Sequence, residues 1–260
     1  MQVSPKPIGA GTALAGGFLV QAALLAPLLA AGRIGVLAMT AALAIYSMIA
    51  LLVRQRFGHG DFGLANTVTA GRAGMIAVLP ALILAPGGLD AAIAWAVIGC
   101  GLAALVLDGL DGQIARRRGE ASAFGARFDM EIDAGFVLFL SGLVWSSGRT
   151  GAWILLAGLL RYFWVGAGAL WPLLRHKLPP SLLRKSVCVL VLLLLLLALA
   201  PIIPPAWAPL PCALGLVLLL ASFGRDLVWL IRGAGMAAAK PPHIQAGAAV
   251  YDGNPRVESE

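Results

Sequence analysis

Long apolar runs alternate along this chain with short joints of glycine, proline and charge. Eight runs stand out, at about 10–32, 34–53, 67–86, 90–107, 127–147, 151–174, 185–203 and 206–231. Each approaches the ~20 residues a helix needs to cross a bilayer. The joints hold Arg33, the stretch Arg54 to Gly63, Pro86-Gly-Gly, Ser147-Gly-Arg149, Arg175 to Pro180, and Pro201 to Pro205. From about 233 the chain is rich in Ala, Gly and Pro, has no apolar period, and reads as a disordered extension. Lys6 precedes the first run, as it would in a signal peptide. That run is long for such a segment and a second follows at once, which favours a retained transmembrane hairpin. The pattern predicts an all-α integral membrane protein.

Composition supports this class. Hydrophobic residues make up 60% of the chain and charged residues only 12%, about half the ~25% charged fraction of a soluble domain. Lys and Arg exceed Asp and Glu by 19 to 12. In a polytopic protein that excess means positive-inside joints and anionic lipid headgroups, and no basic patch interleaved with aromatics points to nucleic acid. One set of joints holds Lys6, Arg54, Arg56, Arg116, Arg117, Arg118, Arg175, Lys177, Arg184, Lys185, Arg232 and Lys240, and the opposite set only Arg33 and Arg149. The expected orientation puts both termini on the cytoplasmic side of the cell (inner) membrane. Cys100, Cys188 and Cys212 are odd in number and lack CxxC spacing, so neither a disulfide framework nor a zinc site is indicated.

Charge changes the picture in one window. Six of the twelve acidic residues lie between 108 and 133, and four of them are Asp108, Asp111, Asp129 and Asp133. Carboxylates are costly near hydrocarbon and call for a cation. Asp108 and Asp111 share a helix face at i, i+3, and Asp129 and Asp133 share one at i, i+4. A short basic connection would join the two helices as a hairpin and let both pairs converge at the cytoplasmic boundary. Four carboxylates that close repel, and hard oxygen ligands suit Mg²⁺ or Mn²⁺. Two such ions can bridge the oxygens of a diphosphate. Gly112 and Gly125 leave room for a ligand or a facing helix, Ala115 keeps the face shallow, Arg116 can pair with phosphate, and Ser122 offers a hydroxyl on the connection. A solvated charged loop would leave this spacing unexplained, because eight positions agree in type and distance.

The window resembles the signature of the CDP-alcohol phosphotransferase family, class I: DxxDGxxAR, eight or nine residues, then GxxxDxxxD. Upstream, Asn66, Thr69 and Arg72 match the family's NxxTxxR. The resemblance covers about 66–232, six spans, which is the family's core helix count. It implies a six-helix transmembrane core with two additional N-terminal transmembrane helices: a hairpin and linker at 1–65, the core at 66–232, and a tail at 233–260. It implies that a hydroxyl attacks a CDP-linked alcohol to give a phosphodiester and CMP. Asp108, Asp111 and Asp129 would hold the metals, two Mg²⁺ or Mn²⁺ ions, and Asp133 would both contact metal and accept the hydroxyl proton. Asn66, Thr69, Gly112, Arg116, Ser122 and Gly125 would face the nucleotide. A homodimer is also implied.

Two readings of direction compete. Phosphatidyl from CDP-diacylglycerol passes to a small polar alcohol, or a CDP-linked headgroup passes to a lipid hydroxyl. The basic cytoplasmic joints favour the first. Arg161, near the middle of the sixth run, and Lys177, in a basic cluster, are candidate acceptor contacts, set against an internal hydrogen bond for the one and ordinary membrane anchoring for the other. A divalent-cation transporter would place carboxylates at the midplane in repeat-related helices, and no second acidic set exists here. An inactive scaffold is disfavoured by the complete Asp quartet.

Overall fold

The computed structural model describes residues 8–57, 61–176, 178 and 181–238, apart from the side chains of Arg116 and of 233–238. Among these residues every regular element is helical. They are α1 (Ala10–Ala30), α2 (Val36–Arg56), α3 (Gly63–Ile76), α4 (Leu79–Ile83), α5 (Ala91–Arg118), α6 (Ala123–Ser146), α7 (Leu155–Leu170), α8 (Leu182–Leu199) and α9 (Pro209–Ala238). Short 3-10 turns occupy Ala152–Ile154 and Pro172–Arg175. Seven helical stretches are long and apolar enough to cross a membrane, so the protein is an all-α integral membrane protein. The remaining expected span, α6, is a helix of 24 residues whose first half carries Arg127, Asp129, Glu131 and Asp133. Every 18-residue window of it holds more than two charged residues, which sets it apart from the seven.

Several boundaries differ from expectation, each for a local reason. The run at 67–86 is two helices. Pro80 lacks the N–H that would continue α3, and the N–H of Ala81 turns to Val78 O at 3.0 Å instead of to Ala77 O. The fourth run does not stop at 107. Gln, Ala and Arg are good helix formers and carry α5 on to Arg118, where Gly119 ends it in the left-handed region at φ 68. At the other end Asp90 caps α5 by accepting from Ile93 N at 2.8 Å. The last helix continues to Ala238, past the boundary expected at 232. The tail from 239 lies outside the described residues.

The stretch α3–α4 is the innermost. Of its membrane-spanning window 67% is buried, against 22–33% for the other six. α5 and α6 pack on α3, α8 packs on α5 and α6, α7 on α6, and α9 on α8. α1 also packs on α3, more extensively than on α2. The two exceptions to the positive-inside pattern are both engaged: Arg33 pairs with Asp90, and Arg149 Nη1 donates to Ile203 O at 2.7 Å.

Small residues set the closest helix approaches, as expected where lipid removes the hydrophobic drive between helices. A Cβ at Gly158 of α7 would lie 2.4 Å from Leu138 Cα of α6. Gly158→Ala should therefore force the two helices apart and cost about 1–3 kcal/mol. A lower thermal midpoint in detergent would register it; an unchanged midpoint would mean the contact yields freely.

Candidate active site

The site is built where α5 ends and α6 begins, against α3. The connection is Gly119-Glu120-Ala121-Ser122. It was expected to be basic, but Arg117 and Arg118 belong to the last turn of α5, and the connection's one charged residue is acidic. Glu120 Oε2 accepts from Leu64 N at 2.9 Å and Ala65 N at 3.3 Å, placing a carboxylate on the positive N-terminal end of α3. Ser122 Oγ caps α6 by accepting from Gly125 N at 2.9 Å. The hairpin is thus tied to the first turn of α3 before any ligand is considered.

Its four Asp side chains converge on one guanidinium. Arg72 of α3 places Nη1 3.0 Å from Asp108 Oδ1, 3.1 Å from Asp111 Oδ2 and 2.7 Å from Asp129 Oδ1. Its Nη2 lies 2.6 Å from Asp133 Oδ1. The Arg72 side chain is 1% exposed. Thr69 Oγ1, one turn earlier, donates to Asp111 Oδ2 at 3.1 Å. From α8, Lys185 Nζ comes within 3.3 Å of Asp108 Oδ2. The cluster is closed on one side and open on the other: the Asp108 and Asp111 side chains are each 5% exposed, those of Asp129 and Asp133 29% and 23%.

The protein alone does not satisfy this cluster. Nη1 carries two hydrogens and faces three carboxylate oxygens. Asp108 Oδ1 is left buried with no hydrogen bond, as is Arg72 Nε. Four carboxylates against Arg72 and Lys185 leave a formal charge of minus two. Oxygens of Asp108, Asp111 and Asp129 lie within 4.8 Å of one another, close enough to share an ion. An all-oxygen, net-negative donor set with an orphaned oxygen fits a hard divalent cation such as Mg²⁺ or Mn²⁺. Such a cation would hold diphosphate oxygens and stabilise the charge that develops on them.

The other expected site residues divide into two groups. Asn66 stands on α3 on the face of Thr69 and Arg72, at i, i+3 and i+6. Its Nδ2 donates to Phe62 O at 2.6 Å. A Cβ on Gly125 would come within 2.7 Å of Asn66 Oδ1 and 3.1 Å of Ser122 Oγ, so Gly125 lets α6 approach α3 there. Gly112 follows Asp111 on α5 and is partly exposed. Arg116 lies one turn further along α5, with its side chain outside the described residues. Arg161 does not join the quartet. It pairs with Glu131 of α6, two residues from both Asp129 and Asp133 and so on the opposite helix face. Its Nε is buried without a partner. Lys177 lies outside the described residues. Arg184, beside Lys185, bonds Asp226 Oδ2 of α9 at 3.1 Å, and Arg225 reaches Ser181 Oγ at 3.2 Å.

In the sequence Arg72 is only the last letter of the NxxTxxR motif, and Glu120 belongs to no motif. The signal for Arg72 was present in its spacing, since i, i+3, i+6 places Asn66, Thr69 and Arg72 on one face. What lay beyond reach was that this face meets the Asp window.

A helical bundle of membrane-spanning length presents an aspartate quartet, from one helical hairpin, that could hold a divalent cation. The chain belongs to the CDP-alcohol phosphatidyltransferase family: the family model matches residues 62–224, more than half of its length. The protein is therefore a transferase of a family that works in phospholipid synthesis. No curated protein and no solved structure matches the chain.

Proposed function

We propose that this protein transfers phosphatidyl from CDP-diacylglycerol to the hydroxyl of a small polar alcohol and releases CMP, at the cytoplasmic face of the membrane. The observation that carries the reading is the convergence of Asp108, Asp111, Asp129 and Asp133 on a single cationic centre, with the Asp129–Asp133 side open. Mg²⁺ or Mn²⁺, held by the four Asp, would stabilise the diphosphate charge in the transition state. Asn66, Thr69, Gly112, Arg116, Ser122 and Gly125 are the nucleotide contacts that the family resemblance supports. Arg161 and Lys177 remain acceptor candidates, and the family resemblance supports a homodimer.

In this reading the acceptor oxygen bonds to the phosphorus that carries the diacylglycerol. The bridging P–O bond breaks, and CMP leaves with the bridging oxygen and its electron pair. Asp133 takes the hydroxyl proton. It suits that role because it is one of the two more accessible carboxylates and reaches Arg72 through Nη2 alone, apart from the Nη1 contacts of the other three. Arg72 fixes its orientation. Lys185, exposed over half its side chain, sits at the α8 side of the quartet, where an anionic acceptor would enter.

Purified protein supplied with CDP-diacylglycerol, Mg²⁺ or Mn²⁺ and a panel of small alcohols should release CMP, with one alcohol appearing in the lipid product by mass spectrometry. A CDP-linked headgroup supplied with diacylglycerol forms the second arm. CMP release only in that arm would reverse the direction, and none in either arm would sink the reading.

A further inference from the structure

The matched family region begins at residue 62, yet the helices before it are not a loose appendage. Gly17 of α1 meets α3 backbone to backbone. A Cβ there would lie 2.3 Å from Ala70 O, and a Cβ on Gly74 would lie 2.1 Å from Gly17 O. Two buried polar side chains bolt the same crossing. Gln21, 0% exposed, donates through Nε2 to Ala42 O of α2 at 2.8 Å and to Ala77 O at 3.0 Å. Ala77 O is the carbonyl left free by the α3–α4 break. The amide orientation follows from chemistry, because its oxygen could not face two carbonyls. Tyr46 of α2, 1% exposed, donates to Leu14 O at 2.8 Å, with Ala70 O a second acceptor at 3.4 Å.

Ala70, Gly74 and Ala77 form one face of α3 and its exit; Asn66, Thr69 and Arg72 form another. At 3.6 residues per turn the two faces are roughly 100° apart. Holding one face therefore sets the rotation and depth of the other. We propose that the α1–α2 hairpin is a positioning element of the active site: through Gly17, Gln21 and Tyr46 it fixes α3 so that Arg72 and Thr69 meet the carboxylates of α5 and α6. Ile8 strengthens the tie at the chain's start, since its N–H donates to Asp61 Oδ1 at 2.9 Å and its carbonyl accepts from Phe62 N at 2.9 Å. These are positioning residues and touch no substrate.

The inference rests on the proposed phosphotransfer, and a matched pair of variants tests it in the full-length protein. Gly17→Ala adds a methyl against Ala70 O, whereas a Cβ on neighbouring Gly16 meets nothing within 4 Å. Both changes raise helix propensity equally. In folded, monodisperse protein, Gly17→Ala should lower turnover on the order of 10²-fold, the effect of a ~1 Å displacement. Direct Mn²⁺ binding, read by electron paramagnetic resonance, should weaken about tenfold, as for groups that orient metal ligands. Gly16→Ala should match wild type in both. Should Gly17→Ala fail to fold, Tyr46→Phe, which removes only the hydroxyl, should lose turnover and Mn²⁺ affinity in the same direction while Gly16→Ala does not. Equal behaviour of the folded variants and wild type overturns the inference. A wild type that neither binds Mn²⁺ nor releases CMP overturns instead the reading beneath it.

Discussion

Asp133→Asn is expected to lower turnover by about 10³-fold, within the range for loss of a positioned general base, while CDP-substrate affinity stays within a few-fold of wild type. The replacement keeps the side chain's size and an acceptor oxygen for Arg72 Nη2, 2.6 Å away in the native protein. It removes the negative charge and the capacity to take a proton. Asp108 and Asp111, 5% exposed, are too enclosed for the same duty, so changing them should disturb cation binding first. Rapid-quench measurement of CMP formation, beside equilibrium binding of a CDP-lipid, separates the two effects. Near-wild-type turnover by Asp133→Asn would remove Asp133 as base.

That prediction draws on residues that were readable in the sequence, and the reason is geometric. Asp108 and Asp111, like Asp129 and Asp133, lie within one helical turn of each other, so spacing alone puts each pair on a face. The membrane class was equally legible, since apolar runs of span length have few alternatives. The finer divisions depended on single groups whose effect is local. Pro80 splits one run into α3 and α4, and Gly119 sets the end of α5 at Arg118.

Contacts across long sequence separation were not legible. Arg72 sits in an apolar stretch with no acid nearby in sequence, and its hydrogen-bonded partners Asp111, Asp129 and Asp133 are 39, 57 and 61 residues away. Glu120 looked like a loop charge, but it caps α3 across 56 residues. Gly17 was one small residue among many in the first run. Only the crossing of α1 on α3 distinguishes it from Gly16, whose position is open. Hydropathy finds the helices, whereas the rotation of each about its axis depends on a few polar and glycine positions spread through the chain.

Arg72→Met carries the other large expected effect, and it is conditional on metal. Removing one partner from a buried ion cluster costs about 3–5 kcal/mol, because the remaining charges stay buried without compensation. Here four carboxylates would keep only Lys185, which is 53% exposed and contributes little. In chelator the variant should melt well below wild type. A divalent cation offers the same oxygens an alternative partner, and a ligand at a hundred times its Kd stabilises the folded state by about 2.7 kcal/mol. Saturating Mn²⁺ should therefore raise the midpoint of Arg72→Met more than that of wild type. Arg72→Lys should fall between, since an ammonium restores the charge but lacks the fork that serves Asp129 through Nη1 and Asp133 through Nη2 together. Turnover should remain low in both variants even with Mn²⁺, because neither holds Asp133 in place. Midpoints that drop equally with and without Mn²⁺ would show that Arg72 and the cation do not share these carboxylates, and would argue against the quartet as the metal site.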